Sequence, residues 1–157
     1  MKQIDILQSA AEILGLQETS YPILRRCANL VLAGLATNHR DCEATQVFNV
    51  RDGKIEYKDF SKTFLRVKSM TVPYSLFIDF MQVPNGRVEV KYFYVPNFSE
   101  NLDEVIHIPN LAKETFVYGV ITEYALISGM FNEAKVWNEK FTSGLFHTNE
   151  KHKNLRW

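Results

Sequence analysis

Apolar residues recur every three or four positions at both ends of the chain and every two positions in between. The first spacing is typical of a helix with one buried face, and the second of a strand with one buried face. The pattern therefore predicts two N-terminal helices, two C-terminal helices and a β-rich insertion between the pairs. The predicted helices cover residues ~3–15, ~20–38, ~110–128 and ~132–145, and the β insertion covers residues ~44–96.

Small residues add two details to the prediction of the N-terminal helices. Gly15 suits the C-cap of the first helix, because glycine adopts the left-handed conformation at no steric cost. In the second helix Ala28, Ala33, Gly34 and Ala36 keep the surface narrow. We expect a neighbouring helix to approach closely there.

Two tight-turn signals divide the β insertion. Asp52-Gly53 and Asn85-Gly86 are dipeptides favoured in two-residue hairpin turns, so each predicts a pair of adjacent antiparallel strands. Pro73 suits a strand end. We expect an antiparallel meander of five strands, at residues 44–50, 54–60, 63–72, 74–83 and 86–95.

Alternation assigns the faces of the third and fifth predicted strands. In the third strand a period of two puts Phe64 and Val67 on opposite faces. In the fifth strand Phe93 and Val95 follow the charged residues on the outer face, so that end of the face needs a cover, either the subunit's own helices or a neighbouring subunit. The core face of the fifth strand is Val88, Val90, Tyr92 and Tyr94, and its charged outer positions are Arg87, Glu89 and Lys91.

The last eleven residues, 147–157, show no helical apolar stripe. The prediction is an α+β chain with one domain, residues 1–146, and an extended C-terminal arm, residues 147–157. The arm is either a frayed terminus or a docking segment that could reach ~35–40 Å when extended. As a docking segment it would use its cations for orientation and its apolar residues as anchors: Lys151, Lys153, Leu155, Arg156 and Trp157.

Composition excludes several function classes. The chain has 157 residues with 18 Lys and Arg against 18 Asp and Glu, so no global basic field indicates nucleic-acid binding. The start lacks the apolar stretch of a secretory signal, and the run "LVLAGLA" is too short to span a bilayer. Cys27 and Cys42 form no disulfide framework, and Cys27 is expected to be a buried residue on a helix. We expect a soluble intracellular chain with no membrane partner.

The segment "NHRDCEA" at residues 38–44 gathers His39, Asp41, Cys42 and Glu43. A cysteine beside a histidine can act as a nucleophile, and such groups can bind a metal ion. The segment lacks the second ligand pair of a zinc motif, so a polar connecting loop is the favoured interpretation. His147 and His152 are five residues apart, which does not place them on one helix face, and His107 is expected to be a loop residue packed by its neighbours.

Carboxylates are spread over the insertion and the loop that follows it. Nothing pairs them as a general acid and base, and the chain has no phosphate-binding glycine loop, GxSxG or HExxH motif. We predict no enzyme activity, no catalytic residue, no metal and no cofactor. The carboxylates considered are Glu56, Asp59, Asp79, Asp103 and Glu104.

The order of elements, with "VEVKYFYVP" and the closing "DEVIHIPNLAKETFVYGVITEYALISGMFNEAKVWNEKFTSGL", resembles the head-to-tail connector proteins of tailed bacteriophages. The resemblance covers residues ~1–146 as a pattern of elements, with an Ile-x-Pro segment before a helical hairpin. It implies a structural protein at the head-tail junction of the virion, present in the host cytoplasm before assembly. It also implies a ring, commonly of twelve copies, that contacts the portal protein and tail or further ring proteins.

In the family the ring extends the channel for double-stranded DNA, and the C-terminal segment contacts the portal. By resemblance, Lys151, Lys153, Leu155, Arg156 and Trp157 would make that contact here, while Phe93 and Val95 are candidates for contact with a neighbouring subunit. The alternative hypothesis is a small intracellular α+β binding or regulatory domain whose sheet holds a ligand or peptide. A third hypothesis, a hydrolase using Cys42 and His39, ranks last.

Overall fold

The structure is a computed structural model that describes residues 1–38 and 40–154, the last eight of them by their backbone alone. The chain divides into two compact units. The helical unit comprises Met1–Arg40 together with the chain from Asn97 onward, and the β unit comprises Asp41–Pro96. Each unit has its own hydrophobic core. The fold class is α+β, as predicted, and the residues predicted as one domain hold two cores.

Four α-helices form the helical unit within the described residues, in the predicted order. The first two have the predicted bounds within one residue, and Gly15 ends the first in the left-handed conformation, with φ of 69°. A core of aliphatic and aromatic side chains, Cys27 among them, holds the unit together. The helices are α1 (Gln3–Leu14), α2 (Tyr21–Asn38), α3 (Lys113–Ile127) and α4 (Phe131–Asn154).

The start of α1 is bound by a loop that is distant in the sequence. The first backbone N–H groups of a helix have no partner within the helix. Here the N–H of Gln3 donates to the carbonyl of Glu104 at 3.1 Å, and that of Ile4 donates to Leu102 at 2.9 Å. Lys2 and Val105 form an isolated antiparallel bridge beside them. The loop after the β unit therefore supplies the N-terminal cap of α1.

The third helix begins three residues later than predicted. Asn110 has a φ of 57°, in the left-handed region, so a helix cannot begin at that residue. Ala112 is extended and precedes the first helical residue, Lys113.

The prediction that α4 ends near residue 145 was wrong. Residues 147–154, predicted as an extended arm, continue the helix to Asn154. The pattern predicted a helix end where the apolar stripe stops, but no Gly or Pro follows Gly144 to break the backbone. Of the predicted arm residues, Leu155, Arg156 and Trp157 lie outside the described residues.

The end of α4 extends past the helix against which it packs. A Cβ placed on Gly144 would lie 2.8 Å from the Cγ2 of Thr115, which is the third residue of α3. Since α3 and α4 are the two arms of a helical hairpin, residues after about 146 lie beyond the first residue of α3. Eight helical residues correspond to a length of ~12 Å.

The β unit contains two three-stranded antiparallel sheets, with strand orders β1-β6-β3 and β2-β5-β4. The antiparallel insertion is confirmed, but the meander was wrong. The first strand pairs with the last, not with the second. The strands are β1 (Glu43–Val50), β2 (Lys54–Glu56), β3 (Thr63–Met70), β4 (Ser75–Leu76), β5 (Phe80–Gln82) and β6 (Gly86–Val95).

The two predicted hairpin turns contact each other. The N–H of Gly53 donates to the Oδ1 of Asn85 at 2.8 Å, and the N–H of Val83 donates to the carbonyl of Gly53 at 2.9 Å. Gly53 and Gly86 have positive φ, as turns require. A turn signal predicts where the chain reverses, and it carries no information about which strands pair.

The segment predicted as one strand at residues 74–83 is a hairpin. The N–H of Phe77 donates to the carbonyl of Phe80 at 2.9 Å, and β4 pairs with β5 on either side. Leu76, Phe77 and Ile78 are consecutive apolar residues, and a strand cannot place all three on one face. The turn resolves this conflict by leaving them exposed.

Two irregularities in β3 change its predicted faces. The pairing with β6 shifts register between Phe64 and Arg66, and again between Val67 and Ser69. Each shift inserts one extra residue, as a β-bulge does. Phe64 and Val67 therefore both pack against the core of the β unit, although strict alternation predicted opposite faces.

Aromatic rings dominate the core of the β unit. The ring of Phe60 lies 4.9 Å from that of Phe48, 4.8 Å from that of Phe64 and 4.6 Å from that of Tyr92, measured between centroids. Tyr57 stacks on Phe64 at 4.8 Å. The predicted core face of β6 is confirmed, because Val88, Val90 and Tyr92 are buried and Tyr94 packs against the same cluster.

Candidate functional site

The outer face of β6 is covered in part by its neighbouring strand. Phe93 pairs with Arg66 across the sheet, and the guanidinium carbon of Arg66 lies 4.3 Å from the centroid of the Phe93 ring. Asp41 holds the guanidinium with an Nη2–Oδ1 distance of 2.9 Å. Phe93 is thus covered by an arginine of its own sheet. The two covers expected from the sequence were the subunit's own helices and a neighbouring subunit. Contact of Phe93 and Val95 with a neighbouring subunit stays a prediction.

The polar residues of the segment at 38–44 make structural contacts. Glu43 pairs with Lys68 at 2.7 Å, and Asp41 pairs with Arg66. Arg40 is buried in the helical unit, where its guanidinium donates to the carbonyl of Leu145 at 3.3 Å and burial lowers its pKa. His39 lies outside the described residues.

Both cysteines are buried thiols. Burial raises the pKa of Cys27 to about 11, and burial together with Asp41 raises the pKa of Cys42. A nucleophilic cysteine needs a lowered pKa and access to substrate. The environment of Cys42 instead raises its pKa and so disfavours the thiolate.

The candidate carboxylates lie in two parts of the chain, the β unit and the loop that caps α1. Glu56 and Asp79 line one shallow cleft of the β unit, together with Tyr57, Lys58 and Ile78. Glu56 pairs there with Lys58 at 3.1 Å. Asp59 lies in the short 3₁₀ turn at Tyr57–Asp59, and Glu104 and Asp103 lie in the loop that caps α1.

Metal-ligand types are not gathered in the part of the chain that the structure describes. There, no group of three or more His, Cys, Asp or Glu side chains is placed to hold an ion. His107 is exposed between the buried Ile106 and Ile108, so the prediction that its neighbours pack around it was wrong.

None of the described helices combines the length and the apolar character needed to cross a membrane.

The most exposed apolar residues of the β unit lie in the β4–β5 hairpin. Ile78 at its turn is 95% exposed. Tyr57 stabilises the turn, because its hydroxyl donates a hydrogen bond to the carbonyl of Phe77 at 2.7 Å. We call the exposed apolar residues of this hairpin the hairpin tip: Tyr74, Leu76, Phe77 and Ile78.

A second apolar surface lies at the turn between α3 and α4. Gly129 has a φ of 74° and permits the tight reversal between the two helices. Phe131 follows it and is 69% exposed. We call Leu126, Ile127 and Phe131 the helical corner.

A groove of about 160 Å³ runs between α2, α3 and α4. A Cβ on Gly34 would meet no atom within 4 Å, so this glycine opens the groove. The sequence predicted that a neighbouring helix approaches closely at this position. Close helix contact occurs instead at Gly119, where a Cβ would lie 2.9 Å from the ring of Phe141. The other lining residues are Leu30, Val31, Leu35, Asn38, Thr122, Glu123 and Asn138.

Glu123 is the acidic residue of the groove. Its carboxylate forms no hydrogen bond or ion pair with the described residues, and burial raises its pKa. Thr122 beside it donates its hydroxyl to the carbonyl of Tyr118 at 2.8 Å. The groove therefore combines an apolar floor with a carboxylate that lacks a cation.

No protein-family model and no curated protein matches this chain. The candidate surfaces rest on geometry alone.

Sequence reasoning did not find the hairpin tip or the groove. Leu76-Phe77-Ile78 could have been found, because three consecutive apolar residues break the alternation of a strand. Glu123 carries no such signal, since it lies within a helix whose apolar residues face several directions.

Proposed function

We propose that this chain is a structural protein of a tailed-phage virion, which forms a ring between the portal and the tail. The ring extends the channel for double-stranded DNA, makes no sequence-specific contact with it, and contains about twelve copies by the resemblance. The resemblance rests on an order of elements, and the structure has that order: two helices, a β insertion and two helices.

Two unlike exposed apolar surfaces carry the proposal. A ring subunit contacts its two neighbours through different surfaces, because a head-to-tail contact is heterologous. The hairpin tip belongs to the β unit and the helical corner to the helical unit, so the chain has two such surfaces. Exposed apolar residues that are close together in the chain, as in these two surfaces, are candidates for contact with a partner.

The test is assembly with the portal protein encoded in the same genome. We expect mass photometry and electron microscopy of the mixture to show a ring of this chain on the portal. A chain that stays monomeric and never joins the portal contradicts the proposal and supports the alternative, a small binding or regulatory domain.

A variant of the hairpin tip separates assembly from folding. Changing Leu76 and Ile78 to Ser is expected to alter the free energy of unfolding by no more than ~1 kcal/mol, because these side chains are 55% and 95% exposed. The same variant should lose ring formation at concentrations where the wild-type chain assembles. Ile13→Ser, at an exposed apolar position of α1, is the matched control and should assemble normally.

A further inference from the structure

The groove between α2, α3 and α4 has the chemistry of a site for a basic side chain. Val31, Leu35 and Phe141 provide apolar contact for an aliphatic stem, and Glu123 provides the counter-charge. Arginine and lysine use this combination, since their stems bury against apolar surface while their cationic heads meet a carboxylate. The amides of Asn38 and Asn138 offer further acceptors for a guanidinium, which has five N–H donors.

The size of the groove limits the occupant to one long side chain. Its volume is about 160 Å³, and an apolar cavity of ~150 Å³ holds one benzene molecule. Gly34 gives the occupant its access, because no side chain fills the space above that position. Leu30 at the rim is 53% exposed and can contact a second, apolar residue of the partner.

The C-terminal end of this chain has the matching sequence. Residues 151–157 read "KHKNLRW", with three cations, no acidic residue, and apolar residues on both sides of Arg156. An arginine between Leu155 and Trp157 matches the groove in chemistry, because the sequence offers a cation for Glu123 with apolar residues on both sides for Leu30.

The segment cannot reach the groove of its own subunit. Phe141 lines the groove and Asn154 ends α4, and thirteen helical residues separate them by ~20 Å. Three residues beyond Asn154 span at most ~11 Å. If this segment occupies the groove, it therefore comes from another copy.

We propose that the groove binds the C-terminal segment of a second copy, with the guanidinium of Arg156 at the carboxylate of Glu123. The inference rests on the proposed function, because each copy then gives one segment and accepts one, as neighbours in a ring do. It assigns Leu155, Arg156 and Trp157 to the neighbouring copy, whereas the resemblance assigns them to the portal.

The test is a titration of the peptide of residues 147–157 into the full-length, ¹⁵N-labelled chain. The labelled chain carries Arg156→Ala and Trp157→Ala, so that its own segment does not compete. We expect saturable shifts of the amide signals of Leu30, Gly34 and Gly119. Glu123→Gln should weaken the affinity for the peptide at least tenfold, and Gly34→Leu, which fills the groove, should abolish binding.

Glu139→Gln on the exposed face of α4 is the matched control and should leave the affinity unchanged. A peptide carrying Arg156→Ala should bind as weakly to the unmodified groove as the native peptide binds to Glu123→Gln. Absence of saturable shifts, or shifts that leave the groove residues unaffected, overturns the inference. The inference is also overturned if the peptide binds the Glu123→Gln variant with the same affinity as it binds the chain that keeps Glu123.

The outcome is distinguishable from the test of the function. If the chain forms rings on the portal but does not bind the peptide, the inference is wrong and the proposed function stands. If the peptide binds to the groove but no ring forms on the portal, the proposed function is wrong. If the peptide binds the portal and not this chain, the resemblance has assigned the segment correctly and the inference is wrong.

Discussion

Replacing Phe60 by alanine should lower the free energy of unfolding of the β unit by about 3–5 kcal/mol. Phe60 is buried, and its ring contacts those of Phe48, Phe64 and Tyr92 at centroid distances below 5 Å: 4.9, 4.8 and 4.6 Å. Its removal leaves a cavity between the three strands of one sheet, β1, β6 and β3, and the loop that carries Phe60. Two edge-to-face contacts, with Phe48 and Tyr92, and one tilted contact, with Phe64, are lost together with the buried area.

Native-state hydrogen exchange is the appropriate measurement, because it reports the stability of the β unit residue by residue. In Phe60→Ala the amides of the central strand β6 should exchange about 10²–10⁴-fold faster, as a loss of ~3–5 kcal/mol implies. Ile78→Ala is the control, since a side chain that is 95% exposed contributes little to stability. Unchanged exchange in β6 would show that the aromatic cluster does not stabilise the unit.

Replacing Gly144 by alanine should destabilise the helical unit by about 1–3 kcal/mol, although alanine is the better helix former. The added Cβ would lie 2.8 Å from the Cγ2 of Thr115 and 3.1 Å from its Cβ. The Cβ of Thr115 is fixed by the backbone, so rotating that side chain does not relieve the close contact, and α3 and α4 must separate to accept the added methyl group.

Gly34→Ala provides the opposite result in the same unit. Its Cβ meets no atom within 4 Å, so the gain in helix propensity should stabilise the protein by ~1 kcal/mol. Thermal denaturation of both variants should therefore shift the midpoint in opposite directions. The double variant Gly144→Ala and Thr115→Ala should recover part of the loss. A stabilised Gly144→Ala variant would contradict the close packing of α3 on α4.

The helices were predictable because apolar spacing and a glycine cap are local signals. Gly15 marked the end of α1 in the sequence and ends it in the structure. The C-terminal limit of α4 was not predictable in the same way, because the apolar stripe stops before the helix does. Residues 147–154 have a helical backbone without an apolar stripe, so the stripe did not mark the end of the helix.

The pairing of the strands was harder to predict from the sequence than their positions. The 86–95 strand and its core face followed from alternation, but its partners, β1 and β3, lie far away in the sequence. The bulges in β3 were hidden as well, since an extra residue is recognised only against the partner strand. The groove could not be predicted, because it depends on how α2 and α3, which carry Gly34 and Glu123, pack together.

The bound start of α1 sets an order for folding during synthesis. The first N–H groups of α1 need the carbonyls of Leu102 and Glu104, about a hundred residues later. At ~5–20 residues per second the ribosome takes about 5–20 s to supply them. The residues that pair within the β unit all emerge earlier, at positions 43–95. The β unit can therefore form its core before the residues that cap α1 have been synthesised.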